Sequence, residues 1–232
     1  MEWEDQALII HTRPYSDNQL IVTLLTANHG KRSGMVRLSR QKYGNPFQIG
    51  TLTASIWRAR LENHLGFLQL ETIKAFGAAF LHDPLRLKLL TCSSALAYDL
   101  LADHENHPEI FQGFLTFFDA LSGATPLKAY IYLELLLLKE LGYGLELSQC
   151  AVTQTREDLV YVSPKTGRSV CRKEGEAYHD KLLTLPKFLV DLNAPNTQND
   201  LQKGLTLTGY FLQKYLYQPG DKKLPPSRSS LF

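Results

Sequence analysis

The sequence predicts an α+β protein in which a small β-barrel is followed by a helical domain. Over the first 76 residues, apolar and polar side chains follow the two-residue period of strands, and from about Ala78 the apolar period lengthens to about 3.6. Five short runs at roughly ten-residue spacing, separated by Gly and Asn turn signals, favour a closed barrel. Five is also the strand count of an oligonucleotide/oligosaccharide-binding barrel, the OB-fold.

Local signals predict the individual elements. Strands are expected at residues 6–12, 19–26, 33–39, 51–60 and 66–76. Asp83 followed by Pro84 is typical of a helix start, and Gly142 is typical of a helix end. Helices are expected at residues 84–101, 108–121, 126–141 and 199–217. The first three helices have short connections, which favours an antiparallel bundle.

Four regions are predicted along the chain. They are a barrel domain (residues 1–77), a helical domain (78–143 and 186–218), an irregular insertion (144–185) and a mobile basic tail (219–232). The chain has 232 residues, of which 44% are hydrophobic, enough for a substantial core.

Composition and terminal residues exclude several classes of protein. The longest nearly apolar stretch, residues 129–138, contains Glu134 and is too short to span a membrane. Residues 1–5 are acidic where a signal peptide would be basic, and three cysteines are too few for a disulfide framework. We therefore expect a soluble cytoplasmic protein without a membrane partner.

Positive charge is concentrated in the N-terminal third of the chain. Residues 1–75 hold nine Lys/Arg and six Asp/Glu, a net charge of +3, whereas the whole chain carries +2. No acid occurs between Asp17 and Glu62, and that stretch contains seven bases. Uncompensated positive charge attracts polyanions, so one interpretation is a nucleic-acid surface on the barrel. The other is an ordinary solvated face with scattered bases.

The candidate DNA-binding residues are these seven bases: Lys31, Arg32, Arg37, Arg40, Lys42, Arg58 and Arg60. Arg58 and Arg60 are two apart on a predicted strand, which points both side chains to one face. Tyr43 or Trp57 could stack on a base, although the parity of Trp57 relative to Arg58 favours the core. No base-reading pattern is evident, so we expect contacts to the nucleic-acid backbone that tolerate any sequence.

No catalytic motif is evident. Walker-A, GxGxxG and GxSxG patterns are absent from the sequence. None of the seven histidines forms a helical HExxH motif or stands beside an evident nucleophile. The sequence therefore predicts a protein that is not an enzyme. A small hydrolase is disfavoured because no nucleophile–base pair can be assembled.

Two cysteines raise the question of a bound metal. Cys150 precedes Thr153 by three residues and Cys171 precedes Glu174 by three, whereas a structural zinc ribbon needs cysteine at all four places. Glu174 and His179 could complete a mixed site, but Thr153 is not a credible ligand. We expect a metal-free loop in which hydrophobic contacts replace zinc, and no cofactor.

Several segments, in this order and spacing, resemble the RecO family of bacterial recombination mediators over nearly the whole chain. The segments are residues 3–10 (Trp-Glu-Asp-Gln-Ala-Leu-Ile-Ile), 15–17 (Tyr-Ser-Asp), 26–31 (Thr-Ala-Asn-His-Gly-Lys) with Gly34, 57–61 (Trp-Arg-Ala-Arg-Leu) with 64–66 (His-Leu-Gly), 141–147 (Leu-Gly-Tyr-Gly-Leu-Glu-Leu) before Cys150, and 227–228 (Ser-Arg). The block at 26–31 is similar to the family's most specific N-terminal signature, and the block at 57–66 to its alphaproteobacterial branch.

The resemblance implies an OB-fold, a helical domain and a zinc-ribbon-like insertion that is degenerate here, because only Cys150 and Cys171 remain of four cysteines. It also implies a non-enzymatic, nucleoid-associated activity: binding single- and double-stranded DNA, annealing complementary strands, and loading RecA with RecR onto DNA coated by single-strand-binding protein. An alternative is an adaptor that joins RecR to single-strand-binding protein and contacts DNA only weakly.

The resemblance further implies that the acidic, aromatic-ended tail of single-strand-binding protein is a partner. Such a tail needs an apolar pocket with cations beside it. Lys128, Tyr132, Leu135 and Lys139 form one stripe of the third predicted helix, spaced four, three and four apart, and supply both kinds of group. The alternative is two solvated lysines beside a buried Tyr132 and Leu135.

Overall fold

The computed structural model describes residues 1–38, 47–61 and 64–231, which form two compact units, Met1–Pro126 and Leu127–Phe232. The first two helices thus group with the barrel, although the sequence-based limit falls at residue 77. The physical reason is aromatic packing: the Phe76 ring, just after the last barrel strand, lies 5.3 Å from the ring of Phe118 in the second helix. The functional domain limits remain a prediction.

Five strands close into a barrel in the order β1–β2–β3–β5–β4, which confirms the predicted five-stranded architecture. The β3–β5 pair is parallel and the other pairs are antiparallel. The strands are β1 (Glu2–Ser16), β2 (Gln19–Thr26), β3 (Lys31–Arg37), β4 (Thr51–Arg58) and β5 (Gly66–Ala75). β1 is longer than predicted because its polar first residues, Glu2 and Glu4, pair along β4 on the solvent side.

The barrel interior is apolar and tightly packed where β3 meets β5. Its buried residues are Ala7, Ile9, Leu20, Val22, Leu24, Val36, Trp57 and Leu68. Gly34 and Gly66 face each other in the parallel pair. A Cβ on Gly66 would overlap the Trp57 indole, and one on Gly34 would lie 2.7 Å from Leu68 Cγ. Glycine at both positions lets the two strands approach around the large tryptophan ring.

Two helices complete the first unit: α1 (Pro84–Leu100) and α2 (Pro108–Ala120). The predicted cap of α1 is present, since the Asp83 carboxylate accepts a hydrogen bond of 3.0 Å from the Arg86 N–H. α2 buries Ile110 and four phenylalanines on one face. Among the described residues, no helix combines the length and apolar character needed to cross a bilayer.

The second unit contains helices and a three-stranded sheet of order β7–β6–β8. Its elements are α3 (Pro126–Leu138), β6 (Leu159–Val162), β7 (Ser169–Cys171), α4 (Arg172–Gly175), β8 (Leu183–Thr184), α5 (Gln198–Leu212) and α6 (Pro226–Ser229). A wide turn at Lys139–Tyr143 follows α3 and contains Gly142 at φ +89°, as its predicted role at a helix end requires. The insertion predicted as irregular, residues 144–185, therefore holds the sheet, while its zinc-ribbon-like character stays a prediction.

The C-terminal segment differs from the expected mobile tail. Arg228 in α6 is fully buried and pairs with the buried Glu134 of α3. The guanidinium also donates to the Leu205 carbonyl oxygen at 2.7 Å, and the Thr208 hydroxyl of α5 donates to the same carboxylate. Residues near the C-terminus thus help to hold α3 and α5 together.

Candidate nucleic-acid interface

An exposed aromatic ring, Phe67, lies on the outward face of the barrel. Its residue is 59% exposed, and strand register places it opposite Met35 of β3 and opposite Arg58 of β4. Arg37 follows Met35 by two residues and is exposed on the same face. An aromatic platform beside cationic side chains is the arrangement with which proteins stack the bases of single-stranded nucleic acid. We call Met35, Arg37, Arg58 and Phe67, together with the nearby Arg60, the Phe67 surface. The strand β4 ends at Arg58, so the exposed Arg60 does not share a strand face with Arg58 as the sequence predicted.

The arginines of the Phe67 surface differ in their partners. Arg58 donates to a Glu2 carboxylate oxygen at 2.9 Å; this bond raises the pKa of Arg58 and lowers the pKa of Glu2. Both side chains are about half exposed, so a phosphate can replace the carboxylate without desolvating a buried group. Arg37 and Arg60 are exposed and have no ion-pair partner within the described ranges.

Carboxylates border the Phe67 surface along the same strands. Glu4 and Glu71 are exposed and help to line a shallow pocket of about 450 Å³. The other lining residues are Asp5, Gln6, Ala54, Ser55, Ile56 and Gln69. Because carboxylates repel phosphate, we expect a bound nucleic-acid strand to avoid this pocket.

Two predicted DNA-binding residues contact other parts of the protein instead. Lys31 Nζ donates to the Tyr98 carbonyl oxygen at 2.8 Å and lies 3.3 Å from an Asp103 carboxylate oxygen. Arg32 is 6% exposed, and its Nε donates to the His29 carbonyl oxygen at 2.9 Å. Both side chains are therefore engaged within the protein, and neither is assigned a phosphate contact.

Four other candidates have different outcomes. Arg40, Lys42 and Tyr43 belong to residues 39–46, which lie outside the described part of the chain. Trp57 is 2% exposed and stacks on Trp3 with ring centroids 5.6 Å apart, which confirms its expected place in the core. Sequence reasoning missed Phe67, although alternation with Leu68 would have placed the phenylalanine outside the barrel.

The signature block at residues 26–31 forms the turn between β2 and β3. The backbone N–H of Asn28 donates to Asp5 at 2.8 Å, and His29 Nδ1 lies 2.9 Å from the same carboxylate. Gly30 has φ +69°, and a side chain there would overlap the Glu105 backbone. The residues of this block therefore fix the barrel, which explains why a sequence motif here does not itself mark a binding site.

The predicted peptide stripe on α3 is partly engaged by its own unit. Lys128 Nζ donates to the Leu192 carbonyl oxygen at 2.8 Å, and the Tyr132 hydroxyl donates to the Phe188 carbonyl oxygen. Burial, with a smaller contribution from the charge of Asp191, raises the pKa of Tyr132. Leu135 is half-buried, and Lys139 is exposed with its Nζ 3.4 Å from a Glu140 carboxylate oxygen. The stripe is accessible mainly at Leu135 and Lys139.

A pocket that the sequence did not reveal is lined by residues between 156 and 191, and its last lining residue, Asp191, adjoins Leu192, whose carbonyl oxygen accepts from Lys128. It measures about 540 Å³, its walls include Leu159, Leu185 and Val190, and its rim carries the exposed cations Arg156 and Lys187. The remaining lining residues are Asp158, Val160, Arg172 and Asp191. The pocket combines apolar walls with three cations and two carboxylates, and Arg172 Nε lies 3.0 Å from an Asp158 carboxylate oxygen. Arg156 and Lys187 are the two exposed rim cations that remain for an acidic partner.

The two cysteines of the insertion do not fit a structural zinc site. Cys150 Sγ and Cys171 Sγ lie 3.5 Å apart, and the third nearby polar group is the Thr153 hydroxyl, 3.9 Å from Cys171 Sγ. Within the described residues, His, Cys, Asp and Glu side chains form no group of three or more with metal-ligand proximity. His179 Nε2 lies 2.9 Å from the Asp180 carboxylate and its ring is exposed. Two sulfur donors are too few for a closed tetrahedral site.

Two family models together cover most of the chain, and the limit between them falls after the barrel rather than between the two compact units. Residues 1–76 match the family model "Recombination protein O N terminal" and residues 81–225 match "Recombination protein O C terminal". Proteins named "DNA repair protein RecO" from a Drosophila simulans Wolbachia (strain wRi) and from Rhodospirillum centenum are each 39% identical over 99% of this chain, covering 98% and 92% of their own lengths. A Caulobacter (strain K31) protein of the same name is 37% identical over 98% of this chain and 95% of its own. The chain therefore belongs to the RecO family.

Proposed function

We propose that this chain is a DNA-binding mediator of recombinational repair that binds single- and double-stranded DNA through the Phe67 surface and catalyses no covalent reaction. Family membership supports the role in DNA repair, since its relatives are named DNA repair proteins. The observation that carries the proposed site is the exposed Phe67 ring beside Arg58 and on the same face as Arg37.

The Phe67 surface suits binding that tolerates any base sequence. Phe67 offers a flat ring to one face of a base, and the guanidinium groups of Arg37 and Arg60 offer charge to phosphates. A base held by its face keeps its hydrogen-bonding edge free to pair. We therefore propose that the bound strand can anneal to a complement, and that RecR-assisted loading of RecA onto DNA coated by single-strand-binding protein follows from the same binding mode.

Substitutions on the Phe67 surface test the proposal. Phe67→Ala should weaken binding of a labelled single-stranded oligonucleotide by roughly 5- to 150-fold, because base–aromatic stacking contributes about 1–3 kcal/mol per base. Ile73→Ala, which removes another exposed side chain of β5, is the matched control. Phe67→Ala should weaken duplex binding less, because paired bases do not present their faces. Equal affinity of the Phe67 and Ile73 variants for single strands would remove Phe67 from the site.

Charge reversal tests the phosphate contacts. Arg37→Glu with Arg60→Glu should weaken single- and double-stranded binding alike and lower the salt-dependence slope by roughly 1.5, since each lost phosphate contact removes about 0.7–0.9. Arg58→Glu with Arg60→Glu should act in the same direction, but it also breaks the Arg58–Glu2 pair. Arg13→Glu with Lys173→Glu, which reverses two exposed cations outside the Phe67 surface, changes net charge by the same amount and is the control.

The alternative is a protein adaptor between RecR and single-strand-binding protein with weak direct DNA binding. The salt titration separates the two. Affinity that falls steeply between low and moderate salt indicates direct phosphate contact, whereas weak affinity at every salt concentration favours the adaptor. A loss in the Arg37/Arg60 variant that exceeds the loss in the Arg13/Lys173 variant supports the mediator.

For the partner peptide, we propose the pocket of Arg156, Lys187 and Val190 beside the predicted α3 stripe. Its volume and apolar walls suit a terminal aromatic ring, and its rim cations suit an acidic tail. Arg156→Glu with Lys187→Glu should abolish binding of the tail peptide of single-strand-binding protein and leave annealing of bare DNA intact. Lys128→Glu with Lys139→Glu is the matched comparison. Peptide binding lost only in the second variant would assign the α3 stripe instead.

A further inference from the structure

The pair of sulfur atoms in the C-terminal unit has a geometry that the DNA-binding proposal does not use. Cys150 Sγ and Cys171 Sγ lie 3.5 Å apart, and the residues are 0% and 6% exposed. The Cys171 backbone N–H donates to Cys150 Sγ at 3.3 Å. Cys150 begins a tight turn in which its own N–H donates to the Thr155 carbonyl oxygen at 2.7 Å, and Cys171 ends β7. The two sulfurs therefore meet where this turn packs on the sheet.

The surroundings of Cys150 favour its thiolate form. Burial raises the pKa of the Cys150 thiol, but hydrogen bonds from the Thr153 hydroxyl and from the backbone N–H groups of Cys171, Thr153 and Val152 outweigh burial and lower that pKa. A thiolate is the nucleophilic form of cysteine, whereas a buried thiol without such donors is inert.

The turn of chain that directly follows Cys150 is exposed to solvent. Val152 is 62% exposed, Thr153 is exposed, and Gln154 adopts φ +62°. A small oxidant thus reaches Cys150 by displacing a short exposed turn rather than by opening the core. Forming an S–S bond of about 2.05 Å from the observed separation requires the sulfurs to approach by about 1.5 Å.

We propose that Cys150 and Cys171 form a reversible oxidation site, which a hydroperoxide converts into an intramolecular disulfide. The Cys150 thiolate attacks one oxygen of hydrogen peroxide, the O–O bond breaks, and the hydroxide that leaves takes a proton to become water. Cys171 sulfur then attacks the sulfenic sulfur of Cys150, and the second hydroxide leaves with the Cys171 proton as water. Two thiols are oxidised by two electrons in total, and one peroxide is reduced to two waters.

The disulfide would join the Cys150 turn to β7 across the 20 residues between the two cysteines. A cross-link that closes a loop restricts the unfolded chain and so favours the folded state, provided that the native geometry accepts it. The expected consequence is a rise in Tm of the oxidised chain that a thiol reductant reverses. This inference is independent of the Phe67 surface, because it concerns thiol chemistry and not DNA binding.

The test uses the full-length reduced chain titrated with hydrogen peroxide. Two of the three thiols should disappear together, the mass should fall by two hydrogens, and tryptic digestion should link residues 140–156 to residues 169–172. Cys92, buried in α1, supplies the control: Cys92→Ser should form the same linked peptide. Any of three results would overturn the proposal: a link that involves Cys92, a link between two chains, or a chain that still has three thiols after oxidation.

Single variants identify the order of attack. Cys171→Ser should accumulate a sulfenic acid at residue 150 that dimedone traps, because the resolving thiol is missing. Cys150→Ser should slow oxidation of Cys171 at least 10-fold under the same peroxide concentration. Stoichiometric zinc in the purified chain, bound through both sulfurs, would also overturn the proposal, because the pair would then be a metal site. Peptide mapping of the unsubstituted chain distinguishes these outcomes even if one variant folds poorly.

Discussion

Removing the guanidinium group of Arg228 should destabilise the C-terminal unit by about 3–5 kcal/mol, the usual cost of leaving a buried charge without its partner. The Arg228 and Glu134 side chains are fully buried, and the Arg228 guanidinium donates to Glu134 at 3.0 Å and to the Leu205 carbonyl oxygen at 2.7 Å. In Arg228→Met, the Glu134 carboxylate keeps only the Thr208 hydroxyl among these donors. Since 1 kcal/mol shifts Tm by about 2–4 °C in a chain of this size, the Tm should fall by roughly 6–20 °C.

Thermal and urea unfolding followed by circular dichroism measure this effect. The double variant Glu134→Leu with Arg228→Met removes both charges, so it should recover most of the stability that Arg228→Met loses. Arg156→Met, which removes an exposed guanidinium, should change Tm little. A loss below about 1 kcal/mol in Arg228→Met, typical of an exposed ion pair, would refute the view that this pair is buried and essential to the fold.

Three further predictions concern packing, pH and metal. Gly66→Ala should cost about 1–3 kcal/mol in urea unfolding because its methyl group overlaps the Trp57 ring, whereas Gly77→Ala, whose methyl group would meet its nearest atom at 3.8 Å, should be tolerated. Burial, assisted by the charge of Arg13, lowers the pKa of His11 despite an opposing effect of Asp99. The unfolded chain therefore binds a proton at His11 more readily than the folded chain, so the free energy of unfolding should decline as pH falls below about 6.5. His11→Gln should reduce that decline. Metal analysis should find well under one zinc per molecule and chelator should leave Tm unchanged; a stoichiometric signal that Cys171→Ser abolishes would contradict this.

The barrel can be predicted from sequence because its information is local. Along β4, burial alternates with the two-residue period of a strand, but the buried residues are mostly hydroxyl-bearing (Thr51, Thr53, Ser55 and Trp57), and Leu52 and Ile56 are only half-buried. The period is therefore a local signal, although the apolar residues of this strand do not mark its inward face. The turn at Gly30 has a positive φ that its neighbours could not adopt easily. The sequence predicts too short a β1 because Glu2 and Glu4 look like residues outside a strand. They belong to it because β4 provides a partner for them, which no local pattern reveals.

The sequence predicts the charge of the candidate interface less well, because distance along the chain is not distance in space. The sequence has no acid between Asp17 and Glu62, which indicates a purely basic face. In the barrel, β1 lies beside β4, so Glu2 pairs with Arg58 and Glu4 lies near the same edge. The positive surface is therefore smaller than the acid-free stretch, and an exposed aromatic ring contributes where two of the bases do not.

The sequence predicts part of the role of Arg228, because it indicates that Glu134 needs a partner. Glu134 interrupts an apolar stretch on the buried side of a predicted helix, and a buried carboxylate requires a cation or several donors. That requirement can be read from the sequence. The sequence does not show that the partner of Glu134 is Arg228, 94 residues away, because helix periodicity carries no information across separate segments. A charged residue on an apolar stripe thus predicts a distant partner of opposite sign. In this chain that partner lies in the segment expected to be mobile, and the Arg228→Met variant tests whether the segment is part of the fold.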